Sequence, residues 1–163
     1  MAAPIAVGSQ ISLNGIDSFT ATSVTFANPA NIGGLGGSFA AAGMTTCTGC
    51  VTMSSFTNAT PLPFTLFTAI SNAITASLSV TNVSFSYTPG DIPRLDGLGT
   101  GILSLTGYDP TPGVFALTTQ GPAGASVTFS VTSVAVPEPA SMILLGSGLL
   151  GLAALRRRSR TAA

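Results

Sequence analysis

Lysine, histidine and tryptophan do not occur among the 163 residues, and charged residues make up only 6% of the chain, against about 25% in an ordinary soluble domain. Each absence closes a class of function. Without histidine there is no Ser-His-Asp or Cys-His catalysis, no imidazole ligand for a metal, and no side chain that titrates unperturbed near neutrality. A single arginine, Arg94, precedes the last eight residues, so no basic patch can hold a phosphate backbone and nucleic-acid binding is not expected. Disorder is excluded from the other side, because a 45% hydrophobic content with zero net charge is the opposite of a solvated, self-repelling chain. What replaces charge is hydroxyl: Ser and Thr together number 41. The length suffices for one domain of roughly 100–150 residues with an appendage.

The few charges are segregated. Asp17, Asp91, Asp96 and Asp109 face one Arg over residues 1–136, four negative charges against one positive, for a net −3. The remaining arginines, Arg156, Arg157, Arg158 and Arg160, follow Ser141–Leu155, a run with no charge at all. Fifteen helical residues span roughly 22 Å, short of a ~30 Å hydrocarbon core, a gap that snorkelling arginines and local thinning can close. A core helix of that length would show a polar stripe, and here only Ser and Gly interrupt the apolar surface. An arginine cluster at the end of such a run also fixes orientation, with the basic side in the cytoplasm. Before it, Val136-Pro137-Glu138-Pro139 holds two prolines that cannot continue a strand and that bias their predecessors toward extended backbone. That reads as a stiff, exposed junction, the presentation a processing enzyme needs.

Pro137-Glu138-Pro139, then the apolar stretch, then Arg156-Arg157-Arg158 resembles the tripartite PEP-CTERM sorting signal of Gram-negative bacteria. The resemblance covers about twenty-five residues at the chain end. It implies export, transient anchoring in the inner membrane, recognition by an exosortase, and delivery to the cell surface or extracellular matrix. Carried over by position, Pro137, Glu138 and Pro139 are the recognition motif. Met142, Leu145, Leu149, Leu152 and Leu155 mark the membrane anchor, and Arg156, Arg157 and Arg158 the cytoplasmic stop. Gly99–Gly113 and onward to Phe129 resembles, more loosely, ectodomains that carry this signal. Such proteins begin with a secretory leader, whereas Met1-Ala-Ala-Pro-Ile-Ala-Val-Gly has neither a basic nor a long apolar region; the expectation is a leader upstream of the given start.

Residues 5–135 read as strands. Val127, Phe129 and Val131 alternate with Thr128, Ser130 and Thr132, giving one apolar and one hydroxyl face. Leu103/Leu105 and Phe115/Leu117 repeat that period. In Leu78–Tyr87 the apolar parity switches between Val80 and Val83, predicting a bulge at Thr81–Asn82, and Phe19/Ala21 followed by Val24/Phe26 shows the same slip. Thr65–Ala76 carries helical spacing in Leu66, Ile70 and Ile74, yet its Thr and Phe content favours a strand. Turns are expected at Asn14-Gly15, Asn28-Pro29, Gly33-Gly34, Pro89-Gly90-Asp91, Asp109-Pro110 and Gly121-Pro122, with Gly33–Gly37 a flexible loop. Short strands at roughly ten-residue spacing predict an all-β ectodomain over 1–135, an antiparallel β-sandwich or jelly roll. A single transmembrane-like helix would follow within the sorting signal, residues 136–160.

Chemistry is sparse. Cys47-Thr-Gly-Cys50 lacks the strand-then-helix setting of a thioredoxin-like site and has half the ligands zinc needs, so a local disulfide closing a hairpin loop in an oxidising compartment is expected. Gly146-Ser-Gly-Leu-Leu-Gly151 satisfies a dinucleotide-binding pattern but leaves no room for a βαβ unit; its small residues suit close helix approach in a membrane. Asp91 and Asp96 could offer oxygens to Ca²⁺, and Asp96 with Asp109 could be imagined as a glycosidase pair, but turn formation explains both more simply. No cofactor is expected. The leading reading is a non-enzymatic exported protein with a structural or adhesive role in exopolysaccharide matrix or biofilm, its partners the exosortase and the membrane, with exopolysaccharide a further candidate. The rivals are a carbohydrate-binding sandwich using Tyr87 and Tyr108, and a secreted hydrolase using carboxylates.

Overall fold

A computed structural model describes residues 2–121 and 125–134. Its elements in chain order are β1 (Ala3–Pro4), β2 (Gln10–Phe19), β3 (Ser23–Gly36), α1 (Ser38–Ala41), β4 (Cys47–Met53), β5 (Phe56–Thr57), β6 (Phe64–Ser71), β7 (Ile74–Thr88), β8 (Arg94–Leu105), β9 (Tyr108–Asp109), β10 (Thr111–Gln120) and β11 (Ala125–Ser133). The sheet runs β2-β11-β10-β8-β7-β6-β4-β3, with β3 pairing back onto β2. Eight antiparallel strands therefore close into an up-and-down barrel. The all-β antiparallel character matches the sequence pattern; the sandwich does not. Alternation along each strand is common to both architectures, and what separates them is the non-local pairing of Ile11 with Val131 and Leu13 with Phe129 that joins first strand to last.

Small residues on the inner face let the wall curl. On β8 the inward row reads Leu95, Gly97, Gly99, Gly101, Leu103, Leu105, and Gly99 stands opposite Phe115 of β10. A methyl group at Gly99 would sit 2.5 Å from the Phe115 ring and against the Asn82 carbonyl, so the aromatic ring fills the space the glycine vacates. The interior is packed solid by Ile11, Leu13, Leu66, Phe67, Leu78 and Phe129, all fully buried, each contributing roughly 1.5–3 kcal/mol. The Phe129 ring meets Phe67 edge-on and Phe115 at a tilt, both at 5.6 Å.

Several expected turns lie inside strands instead. Asn14-Gly15 is an irregularity in the β2–β3 ladder, Asn28-Pro29 is a cis peptide within β3, and Gly33–Gly36, expected as a flexible loop, ends that same strand. Long barrel strands must bend, and glycines and bulges do the bending. The bulge at Thr81–Asn82 is present. The slip between Phe19 and Val24 is a hairpin turn from β2 to β3. Thr65–Ala76 is the β6–β7 hairpin, turning at Asn72 and Ala73 with φ of 50° and 62°.

The two ends differ. At one, α1 and the N-terminal segment seal the barrel with Phe39, Ile5 and Met44. At the other, Phe56 lies 5.2 Å from Phe64 and 5.3 Å from Phe85, an aromatic plug. The packing at Gly99 sets the first prediction: Gly99→Val destabilises the barrel by at least about 2 kcal/mol in denaturant unfolding, whereas Leu98→Ala, on the exposed face, shifts the midpoint by under about 0.5 kcal/mol.

Candidate functional site

The candidate residues Pro137, Glu138, Pro139, Met142, Leu145, Leu149, Leu152, Leu155 and Arg156–Arg158 lie outside the described residues. What is described is the platform they leave from. Strand β11 ends at Ser133, whose buried hydroxyl donates to the Ala6 carbonyl at 2.6 Å and accepts from the Ser9 amide at 3.1 Å. The Ser133 amide donates to the Ser9 carbonyl, and its own carbonyl accepts from Gly8. One residue on, the Val134 amide donates to the Pro112 carbonyl at 3.0 Å. Hydroxyls do the same work nearby: Ser38 Oγ accepts from Ala6, Ser9 Oγ from Ser38, and Thr111 Oγ1 from Ile5. An irregular N-terminal segment is thus kept satisfied by Ser and Thr, two of which, Thr111 and Ser133, stand where the strand parity calls for an apolar residue. Beyond Val134 the chain can extend at most about 3.6 Å per residue, so Glu138 lies within roughly 14 Å of the barrel rim.

Cys47 and Cys50 are joined in a disulfide with a Cα separation of 6.0 Å. It lies within β4 and not at a hairpin tip. Ile32 pairs with Cys47 and Ala30 with Val51, so two residues of β3 advance while four of β4 do. The extra residues loop outward, Gly49 donating to Asn31 Oδ1 at 2.8 Å. A polar hollow of about 330 Å³ beside it is lined by Asn14, Asn31, Thr46 and Thr48. Closing so short a loop constrains the unfolded chain by about 2 kcal/mol. The Cys47→Ser/Cys50→Ser double variant is therefore expected to lose about that much stability, measured as the drop in unfolding free energy under non-reducing conditions.

The titratable groups do not gather. Among the described residues no three His, Cys, Asp or Glu side chains form a metal-sized cluster. Asp96 is held below the ordinary aspartate range by the Arg94 guanidinium, 2.7 Å away on the exposed wall, and accepts from Thr118 at 3.2 Å. Asp109 sits on β9, at the opposite end of the barrel from Asp96. Tyr87 and Tyr108 are divided in the same way, one beside Leu95 and the other beside Ala3. A groove of about 460 Å³ on the outer wall is lined by Asn82, Ser84, Leu98, Thr100, Val114 and Thr132, and by neither tyrosine.

Asp17 was legible in the sequence only as one acid among few. It points into the barrel, 2% exposed. One carboxylate oxygen accepts from Thr119 Oγ1 at 2.7 Å, and the other has no partner among the described residues. Burial raises its pKa above the ordinary 3.8, against the smaller opposing pull of the Thr119 bond. A raised pKa means the folded state holds the proton more tightly. The stabilisation is full below pH 3.8 and is lost as pH rises through the folded value. Asp17→Asn should therefore match wild type near pH 3 and exceed it at pH 7 by roughly 1–3 kcal/mol, read from urea midpoints across that range.

Residues 135–158 match the family model described as the PEP-CTERM protein-sorting motif. No curated protein and no solved structure matches the chain. The motif begins one residue after Val134, the last residue tied into the barrel by the hydrogen bonds above.

Proposed function

We propose that this chain is an exported bacterial protein, sorted through its PEP-CTERM motif by an exosortase to the cell surface or extracellular matrix, where the barrel serves a structural or adhesive role. The observation that carries the reading is the match over residues 135–158, set directly after the last described residue of the barrel. Among the described residues every pairing of β11 lies between Ala125 and Ser133, so cutting beyond Val134 leaves each of these ladders whole.

The roles follow the residues. Pro137, Glu138 and Pro139 present an extended backbone to the processing enzyme, since a peptide must be unfolded to enter a cleaving site. Met142–Leu155 holds the precursor transiently in the inner membrane, and Arg156, Arg157 and Arg158 keep its end cytoplasmic. No helix among the described residues is long and apolar enough to cross a membrane, so this anchoring role rests on residues 142–155 alone. The ectodomain acts without catalysis, its sparsely charged, hydroxyl-rich wall suited to lie among neutral exopolysaccharide. A carbohydrate-binding platform built on Tyr87 and Tyr108 would need the two together, and they stand at opposite ends of the barrel.

Intact-mass measurement of cellular and extracellular forms tests this. Wild-type extracellular protein is expected to lack the Arg156–Arg160 tail, and Glu138→Ala or deletion of Arg156–Arg160 should leave full-length chain with the cells. Extracellular material from either variant with the wild-type C-terminal mass would overturn the reading.

A further inference from the structure

The wall of the barrel is incomplete at the plugged end. Strand β6 pairs with β7 only as far as Phe64 opposite Val80. From Asn82 to Thr88, β7 pairs with β8 alone, in register from Thr100 to Arg94. Its other edge meets no strand among the described residues. On that side Pro61-Leu62-Pro63 leads into β6 without pairing to β7, the two-residue β5 is hydrogen-bonded to β3, and the Phe56 ring meets Phe85. The burial pattern agrees. Val83 and Phe85 point inward yet are only half-buried, while Asn82, Ser84, Ser86, Tyr87 and Thr88 are exposed.

A row of unpaired N–H and C=O groups is a template for another strand. Exposed edges are ordinarily blunted by Lys, Pro or inward-pointing charge. Residues 82–88 carry none of these: Asn-Val-Ser-Phe-Ser-Tyr-Thr has no charge, no proline and an alternation of apolar with hydroxyl, and the bulge at Thr81–Asn82, a further blunting device, touches only its first residue. At about 3.3 Å per residue the edge is roughly 23 Å long, enough for a full strand.

We propose that this edge is a self-association surface on which a second copy of the chain pairs antiparallel, β7 against β7, about a twofold axis at Phe85. That register places Val83 against the second copy's Tyr87 and Ser84 against its Ser86. Both apolar rows then lie on the interior face and both hydroxyl rows on the exterior face, because any pairing of residues whose numbers sum to an even value preserves the faces. The occupant is a second copy because an edge of this composition is complementary to itself: antiparallel pairing sets apolar on apolar and hydroxyl on hydroxyl with no like charge anywhere along it. The contact is small, which places it among weak, transient interfaces. It does not rest on the sorting motif, and either assignment stands if the other falls.

Sedimentation of the full chain in mild detergent tests the contact. Wild type is expected to be dimeric at about 100 μM, a concentration high enough to populate a weak interface. Ser84→Lys/Ser86→Lys places lysine opposite lysine twice and should weaken the dimer roughly tenfold or more. Ser84→Glu/Ser86→Glu should do the same, and mixing the two variants should restore dimers of mixed composition, which a misfolded barrel could not do. Wild type that stays monomeric overturns the proposal, as it would if a different segment filled the edge. A dimer indifferent to both variants also overturns it, since micelle sharing or another contact would then be responsible.

Discussion

The pairing of β11 with β2 is the constraint from which the remaining geometry follows. Of the eight ladders that close the barrel, seven join strands consecutive among its eight long strands, while this one joins residues more than a hundred positions apart. Because side chains alternate with a period of two, a slip of one residue here would turn Val127, Phe129 and Val131 outward and empty the core. Ser133 fixes the register from the end of the strand, held by Ala6 and Ser9 at once. The barrel can therefore close only when the last strand arrives. Under the proposed export route the chain crosses the membrane before that strand is free to pair. Folding then completes with the sorting segment still in the bilayer, and the stable body ends at Val134 just where the processing residues begin.

The scarcity of charge is consistent at every level. On the outer wall Ser and Thr take the place of lysine and glutamate, and in the described barrel Arg94 and Asp96 form an exposed ion pair, worth little by itself. Inside, hydroxyls at Ser9, Ser38, Thr111 and Ser133 satisfy backbone that has no ladder partner. Asp17 is the exception, a carboxyl kept in the interior with one oxygen lacking a partner among the described residues. It lowers stability at neutral pH, and nothing in the structure explains why an amide does not stand there. The same economy leaves the β7 edge without a gatekeeping charge, which is why it can be read as an interface.

Local features were legible in the sequence and closure was not. The alternation in Val127–Thr132, the parity switch at Thr81–Asn82 and the Pro-Glu-Pro, apolar, Arg order at the chain end are all carried by neighbouring residues. The turn at Asn72–Ala73 was hidden because Ala, a poor candidate for positive φ, occupies a place where glycine would have announced a hairpin. Asn14-Gly15 and Gly33-Gly34 misled in the other direction: glycine marks bent strands as well as turns, and only a partner strand tells which. Barrel and sandwich share one alternation pattern, so the choice between them rested on a pairing that no window of adjacent residues contains. The Asp17–Thr119 bond and the Ser133 clamp were invisible for the same reason, their partners lying 102 and 124 residues away.

Processing and assembly, as proposed, occupy different ends of the molecule. Val134 leaves beside Pro112, and Pro112 pairs with Ile102 near one end of β8. The open edge of β7 runs beside Thr100–Arg94 toward the other end. The proposed twofold at Phe85 lies opposite Gly97, five residues or roughly 17 Å along β8 from Ile102. A copy docked on β7 would therefore leave the rim at Val134 open to a membrane-bound enzyme that must reach a residue within about 14 Å of it. Pairing before release is compatible with this layout, because two anchored precursors held in one plane meet far more often than two diluted in the medium. A weak edge-to-edge contact needs no anchor to form, and under the proposed route anchoring would favour it further by raising the local concentration of the uncharged edge.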